Sequence, residues 1–219
     1  MGMVYTLQEF ETFKVKESLS DDLRYEQVGN LIYLMAVPSR IHEAIVQQIQ
    51  KQMGIYFDAL DSSCMVYGSN SGLDLSERVD FLKQFDEFLE YFVEKDSKKF
   101  SLLPDIQVIC DNREELWSVD GYKGIPSIAI EVISPGSGDR DRYFKKLVYE
   151  RVGIPEYWII QDMGNVFVYT LLNGKYSHKR YSLDIDLFSK DISEKDVLEV
   201  FSKIYPDLVI KLDKKYLYK

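Results

Sequence analysis

The sequence predicts one α/β domain. Two apolar runs, Asp105–Cys110 and Ile128–Ile133, read as strands. Apolar side chains recur at helical spacing at Ile41, Ile45, Ile49, Met53, Tyr56 and Leu60, and Asn173-Gly174 joins two further strand-like runs as a hairpin. The 219 residues are 46% apolar and 29% charged, ordinary proportions for a folded chain and too apolar for disorder. At roughly 150 residues per domain, residues 1–219 fit a single domain with elaborations.

Taken in order, residues 6–18 form a first helix. Arg24–Gly29 and Leu31–Val37 are strands around the tight-turn pair Gly29-Asn30. Ser39 caps the long helix that carries the apolar stripe. Cys64–Tyr67 is a short strand, and Ser76 caps a second helix whose core face holds Phe81, Leu82, Phe85, Phe88, Leu89 and Phe92. Between Asp74 and Asp96 eight acids face Arg78, Lys83 and Lys95, which makes this helix a solvated outer face rather than a phosphate contact. After strands Asp105–Cys110 and Ile128–Ile133, a helix over Asp139–Val152 is stopped by Gly153 and Pro155. Glu156–Gln161, Val166–Leu171 and Lys175–Tyr181 are strands. The tail reads as a short helix near Ser193–Ile204 and a last strand near Leu208–Leu212.

Composition excludes several classes of function. A net charge of −9 repels a phosphate backbone at long range, which rules out loose coating of DNA but leaves room for a local basic patch. Cys64 and Cys110 make no disulfide framework, and with His42 and His178 they lack the paired spacings of structural zinc. Cys110, in an apolar run, reads as a packed thiol. The longest purely apolar stretch, Leu31–Val37, is far short of the roughly 20 residues that span a bilayer, and the acids Glu9 and Glu11 do not fit a signal peptide. The expectation is a cytoplasmic protein with no membrane partner.

The chemistry concentrates between Leu102 and Gln161. Glu131 interrupts the apolar strand Ile128–Ile133 and shares a face with Ala129 and Ile133. A buried carboxylate there must be protonated, ion-paired or bound to a metal. Asp105 opens a second apolar strand directly after Pro104. Two acids on neighbouring central strands can offer oxygen ligands to a hard divalent cation such as Mg²⁺. On the following helix Phe144, Leu147, Val148 and Val152 define the buried stripe. Lys145 lies at its border, while Lys146 points away and is solvated. Asp141, Lys145 and Tyr149 form an i, i+4, i+8 row, read either as the rim of a site or as a surface ion pair beside a half-buried tyrosine. His42 falls inside the apolar stripe of its helix, where a hydrogen-bonded core histidine is the plainer role and a place near the site the other. Gln161 ends its strand and is a further contact candidate.

These residues resemble a family. Pro104-Asp105, Glu131-Val132-Ile133-Ser134-Pro135, Asp141…Lys145…Tyr149 and Gly153-Ile154-Pro155-Glu156-Tyr157-Trp158 occur in the order seen in the Uma-two family of restriction endonucleases, within the PD-(D/E)xK nuclease superfamily. Arg24-Tyr25-Glu26, Gly29, Leu34-Met35 and Ser39…His42 extend the likeness upstream, and Asn173-Gly174 downstream. The resemblance implies a restriction-endonuclease-like fold: a mixed central β-sheet flanked by helices. In it, 77–94 is a helical addition and 183–219 a C-terminal extension of the same domain. It also implies a Mg²⁺- or Mn²⁺-dependent endonuclease acting on DNA, with Asp105 and Glu131 as metal-binding acids. Glu26 matches an upstream acid that helps hold metal, or is a solvent-facing acid beside a turn. Two positions after Glu131 the superfamily motif has lysine, and this chain has Ile133. The relocated amine of the family fits Lys145.

Lys145 would then orient water or stabilise the charged transition state. A rival reading is a nuclease fold without catalysis that binds nucleic acid or protein. A third is a nuclease acting on RNA or on unusual DNA structures. Two DNA strands call for two sites, so a homodimer is a further expectation, with Tyr205, Tyr216 and Tyr218 read either as interface aromatics or as internal packing.

Overall fold

The computed structural model describes residues 3–17, 23–80, 98–133, 140–161, 164–182 and 197–213, with the backbone alone at Arg140 and Asp141. Phe81–Phe92 of the expected acidic helix, Ser134–Gly136, Tyr216 and Tyr218 lie outside the described residues. In chain order the strands are β1 (Val4–Thr6), β2 (Tyr25–Val28), β3 (Leu31–Leu34), β4 (Met65–Gly68), β5 (Leu73–Asp74), β6 (Phe100–Leu102), β7 (Ile106–Ile109), β8 (Trp117–Ser118), β9 (Gly121–Tyr122), β10 (Ile128–Ile133), β11 (Glu156–Gln161), β12 (Asn165–Leu172), β13 (Lys175–Ser182), β14 (Val197–Phe201) and β15 (Val209–Asp213). The α-helices are α1 (Leu7–Glu17), α2 (Arg40–Ala59) and α3 (Lys146–Val152), the last continuing from a π-helical turn at Arg140–Lys145. None of the described helices is long and apolar enough to cross a membrane.

The chain divides into two compact units. The first, Met1–Val37, Ser69–Pro104 and Arg113–Gly124, holds a seven-stranded sheet in the order β1-β3-β2-β6-β5-β9-β8. Phe10 on α1 is buried in it, its ring tilted against that of Tyr25 with centroids 5.1 Å apart. The core face of the helix that Ser76 was expected to cap lies outside the described residues. Ser76 itself opens a short 3₁₀ turn, and its hydroxyl accepts the Phe100 N–H, which ties two chain segments together.

The second unit, Pro38–Gly68, Asp105–Asn112 and Ile125–Lys219, carries a six-stranded sheet ordered β13-β12-β11-β10-β7-β4. It is mixed: β10 and β11 run parallel, and every other neighbouring pair is antiparallel. All six residues of β10 are buried, as a strand covered on both faces requires. Ser39 caps α2 by accepting the His42 N–H at 3.1 Å, and Ile45, Val46, Ile49, Met53 and Phe57 bury their side chains. They pack with Ile106, Val108, Ile128, Ile130 and Trp158 on one face of the sheet. The apolar stripe ends earlier than its spacing suggests, with Leu60 at 58% exposure beyond the helix. The opposite face, carrying Ala129, Glu131 and Ile133, receives α3 through Tyr149. Gly153 ends α3 in the left-handed region, φ 90°, where a side chain would be strained.

Two expectations are overturned. Residues 197–201, expected as helix, form β14 and pair with β15 as a separate antiparallel ribbon. Leu198 and Val200 are buried while Val197, Glu199 and Phe201 are exposed, and that period of two suits a ribbon closing over the core. Cys110 is no free thiol: it forms a disulfide with Cys64. The register explains this, because Met65 faces Ile109 across β4 and β7 and the next step brings the two cysteines opposite each other.

Candidate active site

The second unit gathers most of the singled-out residues at one end of β7 and β10. The antiparallel register pairs Ile106 with Ile130, and one step further it sets Asp105 opposite Glu131. Asp105 is buried, and its Oδ2 accepts the Val132 N–H at 2.8 Å. The same oxygen lies 3.0 Å from His42 Nε2. His42 reaches it from the first turn of α2, so this histidine is not simply core packing.

Glu131 is 3% exposed and accepts from Lys145 Nζ at 2.7 Å and from Tyr149 Oη at 3.2 Å, both on Oε1. Lys145 is 1% exposed. A carboxylate and an ammonium buried together satisfy each other, whereas either alone would be costly. The π-helical turn ends at Lys145, and such turns gather at functional sites because they re-aim side chains. Tyr149 rests edge-on against Tyr157, ring centroids 5.0 Å apart, which holds its hydroxyl toward Glu131.

Gln161, with its amide turned so that the oxygen accepts, takes Arg142 Nε and Nη2 at 3.0 and 3.1 Å. Lys146, expected in solvent, is half-buried with its ammonium 5.1 Å from the centroid of Tyr169, because the helix packs over the sheet on this side. The side chain of Asp141 lies outside the described residues. Glu26 belongs to the first unit. It is fully buried, not solvent-facing, and accepts the Leu103 N–H at 2.7 Å.

Sequence reading missed two polar residues. Gln107, two positions beyond Asp105 on the same face of β7, is fully buried opposite Ala129. A polar residue inside an apolar run was the available signal. Glu156 opens β11 and is also fully buried. Burial pushes its carboxyl above the usual range, partly offset by N–H donors from Lys203, Trp158 and Ile204 and by Ser202. It fastens the chain before β15 to the sheet rather than serving the site.

Two carboxylates without thiolate ligands form a hard oxygen donor set, the kind Mg²⁺ takes with one or two carboxylates and retained water. Among the described residues no three His, Cys, Asp or Glu side chains converge on one point. The carboxylates of Asp105 and Glu131 are donors of the chemistry such an ion takes.

The mixed sheet flanked by α2 and α3, with acids opposed at one strand end and a buried lysine on the next helix, defines a protein of restriction-endonuclease-like fold. A crystal structure from Anabaena variabilis, described as a "putative nuclease belonging to DUF820", is similar with a TM-score of 0.53 and 17% identity over 82% of this chain and 85% of that one. A comparison with curated proteins gave no match. The Uma2 family, described as "Putative restriction endonuclease", matches residues 7–202, and this chain belongs to that family.

Proposed function

We propose that the protein hydrolyses phosphodiester bonds in DNA as a Mg²⁺- or Mn²⁺-dependent endonuclease of the PD-(D/E)xK type. The observation that carries this reading is the buried contact between Lys145 and Glu131, with Asp105 opposite Glu131 in the strand register. Asp105 and Glu131 would hold the ion, which supplies an acidified water and charge neutralisation. Val132 N–H and His42 fix the orientation of the Asp105 carboxylate. Lys145 contributes a positive charge for the phosphoryl oxygens, and Glu131 with Tyr149 limits its movement. The amine on a helix takes the role that the strand position of Ile133 cannot supply.

The test is cleavage of plasmid DNA in Mg²⁺ and in Mn²⁺, with Glu131→Ala and Lys145→Ala as controls. Metal-dependent nicking abolished by both substitutions supports the reading; no cleavage with either ion overturns it. One observation favours a second reading, a binding module without catalysis: Glu131 Oε1 is already engaged by Lys145 and Tyr149. In that case Mn²⁺ would leave the melting temperature unchanged.

A further inference from the structure

The sheet face that carries Glu131 continues onto the β12–β13 hairpin. Register links Glu131, Ile159, Phe167 and Arg180 in one row across four strands, and Ala129, Tyr157, Tyr169 and His178 in the next row of that face. Two strand spacings put Phe167 roughly 10 Å from Glu131.

Four flat groups on this hairpin touch one another. The His178 ring lies 5.3 Å from Tyr169 and 6.1 Å from Phe167, centroid to centroid. Phe167 and Tyr169 are near parallel, 21° apart at 6.4 Å. The Arg180 guanidinium carbon sits 6.0 Å from the Phe167 centroid, and Nε and Nη2 donate to Asn165 Oδ1 at 3.1 and 2.7 Å, which fixes the plane. The Lys146 ammonium lies over the Tyr169 ring, 5.1 Å from its centroid. His178 and Arg180 are exposed, and Phe167 and Tyr169 half-buried.

Charge points the same way. Residues 165–182 contain no acid, in a chain whose net charge is −9, and of their cations Arg180 shares the ring face, while Lys179 lies over Tyr181 on the opposite face and Lys175 pairs with Glu150. Protecting the edge strand β13 from aggregation would explain its cations. It would not explain half-exposed rings on β12, one strand in. Rings and cations interleaved on one surface suit unpaired bases, whose faces stack and whose phosphates are attracted.

We propose that the Phe167–Tyr169–His178–Arg180 face is a stacking platform for unpaired bases, so that the protein engages single-stranded DNA next to the bond it cuts. This rests on the phosphodiesterase reading above. The test is fluorescence anisotropy of a labelled single-stranded oligonucleotide and of its duplex, in EDTA, so that binding is read without cleavage. The full chain should bind the single strand about tenfold more tightly. Phe167→Leu, which keeps apolar bulk without a ring face, should erase most of that margin, and Phe167→Trp should keep it. Equal affinity for single strand and duplex, or a Phe167→Leu variant that keeps the margin, overturns the platform even when metal-dependent cleavage is observed. Failure to bind any oligonucleotide overturns it too. Cleavage by the same preparation then tells whether the nuclease reading falls with it.

Discussion

Lys145 Nζ and Glu131 Oε1 stand 2.7 Å apart, and neither residue is more than 3% exposed. A residue on a helix thus completes the charge of a residue on the central strand, and each makes the other's burial tolerable.

The first consequence concerns stability. Lys145→Met leaves Glu131 buried without its cation and should cost about 3–5 kcal/mol. The double variant Lys145→Met, Glu131→Gln should recover much of that loss. Urea midpoints of the three proteins check it, and equal midpoints for the single and double variants would refute the pairing.

Asp105→Asn separates charge from shape. The amide oxygen can still accept the Val132 N–H, so stability should fall by only about 1 kcal/mol. Plasmid cleavage in Mg²⁺ should fall about a hundredfold or more, because a charge that would hold the ion is gone. A variant that cleaves at the normal rate would remove Asp105 from the site.

His42 orients Asp105, and loss of such outer partners typically weakens a metal site 10–100-fold. His42→Ala should therefore shift the Mn²⁺ concentration for half-maximal cleavage upward by about tenfold. A purely structural histidine would lower the melting temperature and leave that midpoint in place.

Glu156 gives a pH signature. Its folded value is raised above 4.5 by burial, although the Lys203, Trp158, Ser202 and Ile204 donors oppose the rise. A raised carboxyl contributes most below its unfolded value, and that contribution is lost as pH rises through the folded one. The stability advantage of the wild type over Glu156→Gln should therefore shrink as pH rises from 4.5 upward. Thermal melts across that range would show it, and an advantage that grows with pH would refute it.

What the sequence disclosed depended on whether a signal was local. The buried strand around Glu131, the capped helix after Ser39 and the Asn173-Gly174 turn, with φ of 51° and 76°, each carry their information within a few residues. Lys145 was separable from Lys146 because helical periodicity differs by 100° between neighbours. The ribbon was not legible. Val197, Leu198 and Phe201 recur at helical spacing while Leu198 and Val200 alternate as in a strand, and β15 partners that segment only through tertiary contact. The Cys64–Cys110 pairing likewise needed the β4–β7 register, which no stretch of sequence states. His42 needed long-range geometry too: its spacing places it on the core stripe, and only the fold brings it to Asp105, 63 residues away.

The β14–β15 ribbon bears on how this protein can be trimmed. Leu198, Val200, Leu208, Ile210 and Leu212 belong to the same apolar cluster as α2 and the central sheet, and Gln52 and Gln48 bond the backbone of Lys211 and Asp213. The family likeness stops at residue 202, between the two halves of that ribbon. An expression boundary drawn there would strip the cover from α2 and leave β14 as an open edge, a recipe for inclusion bodies.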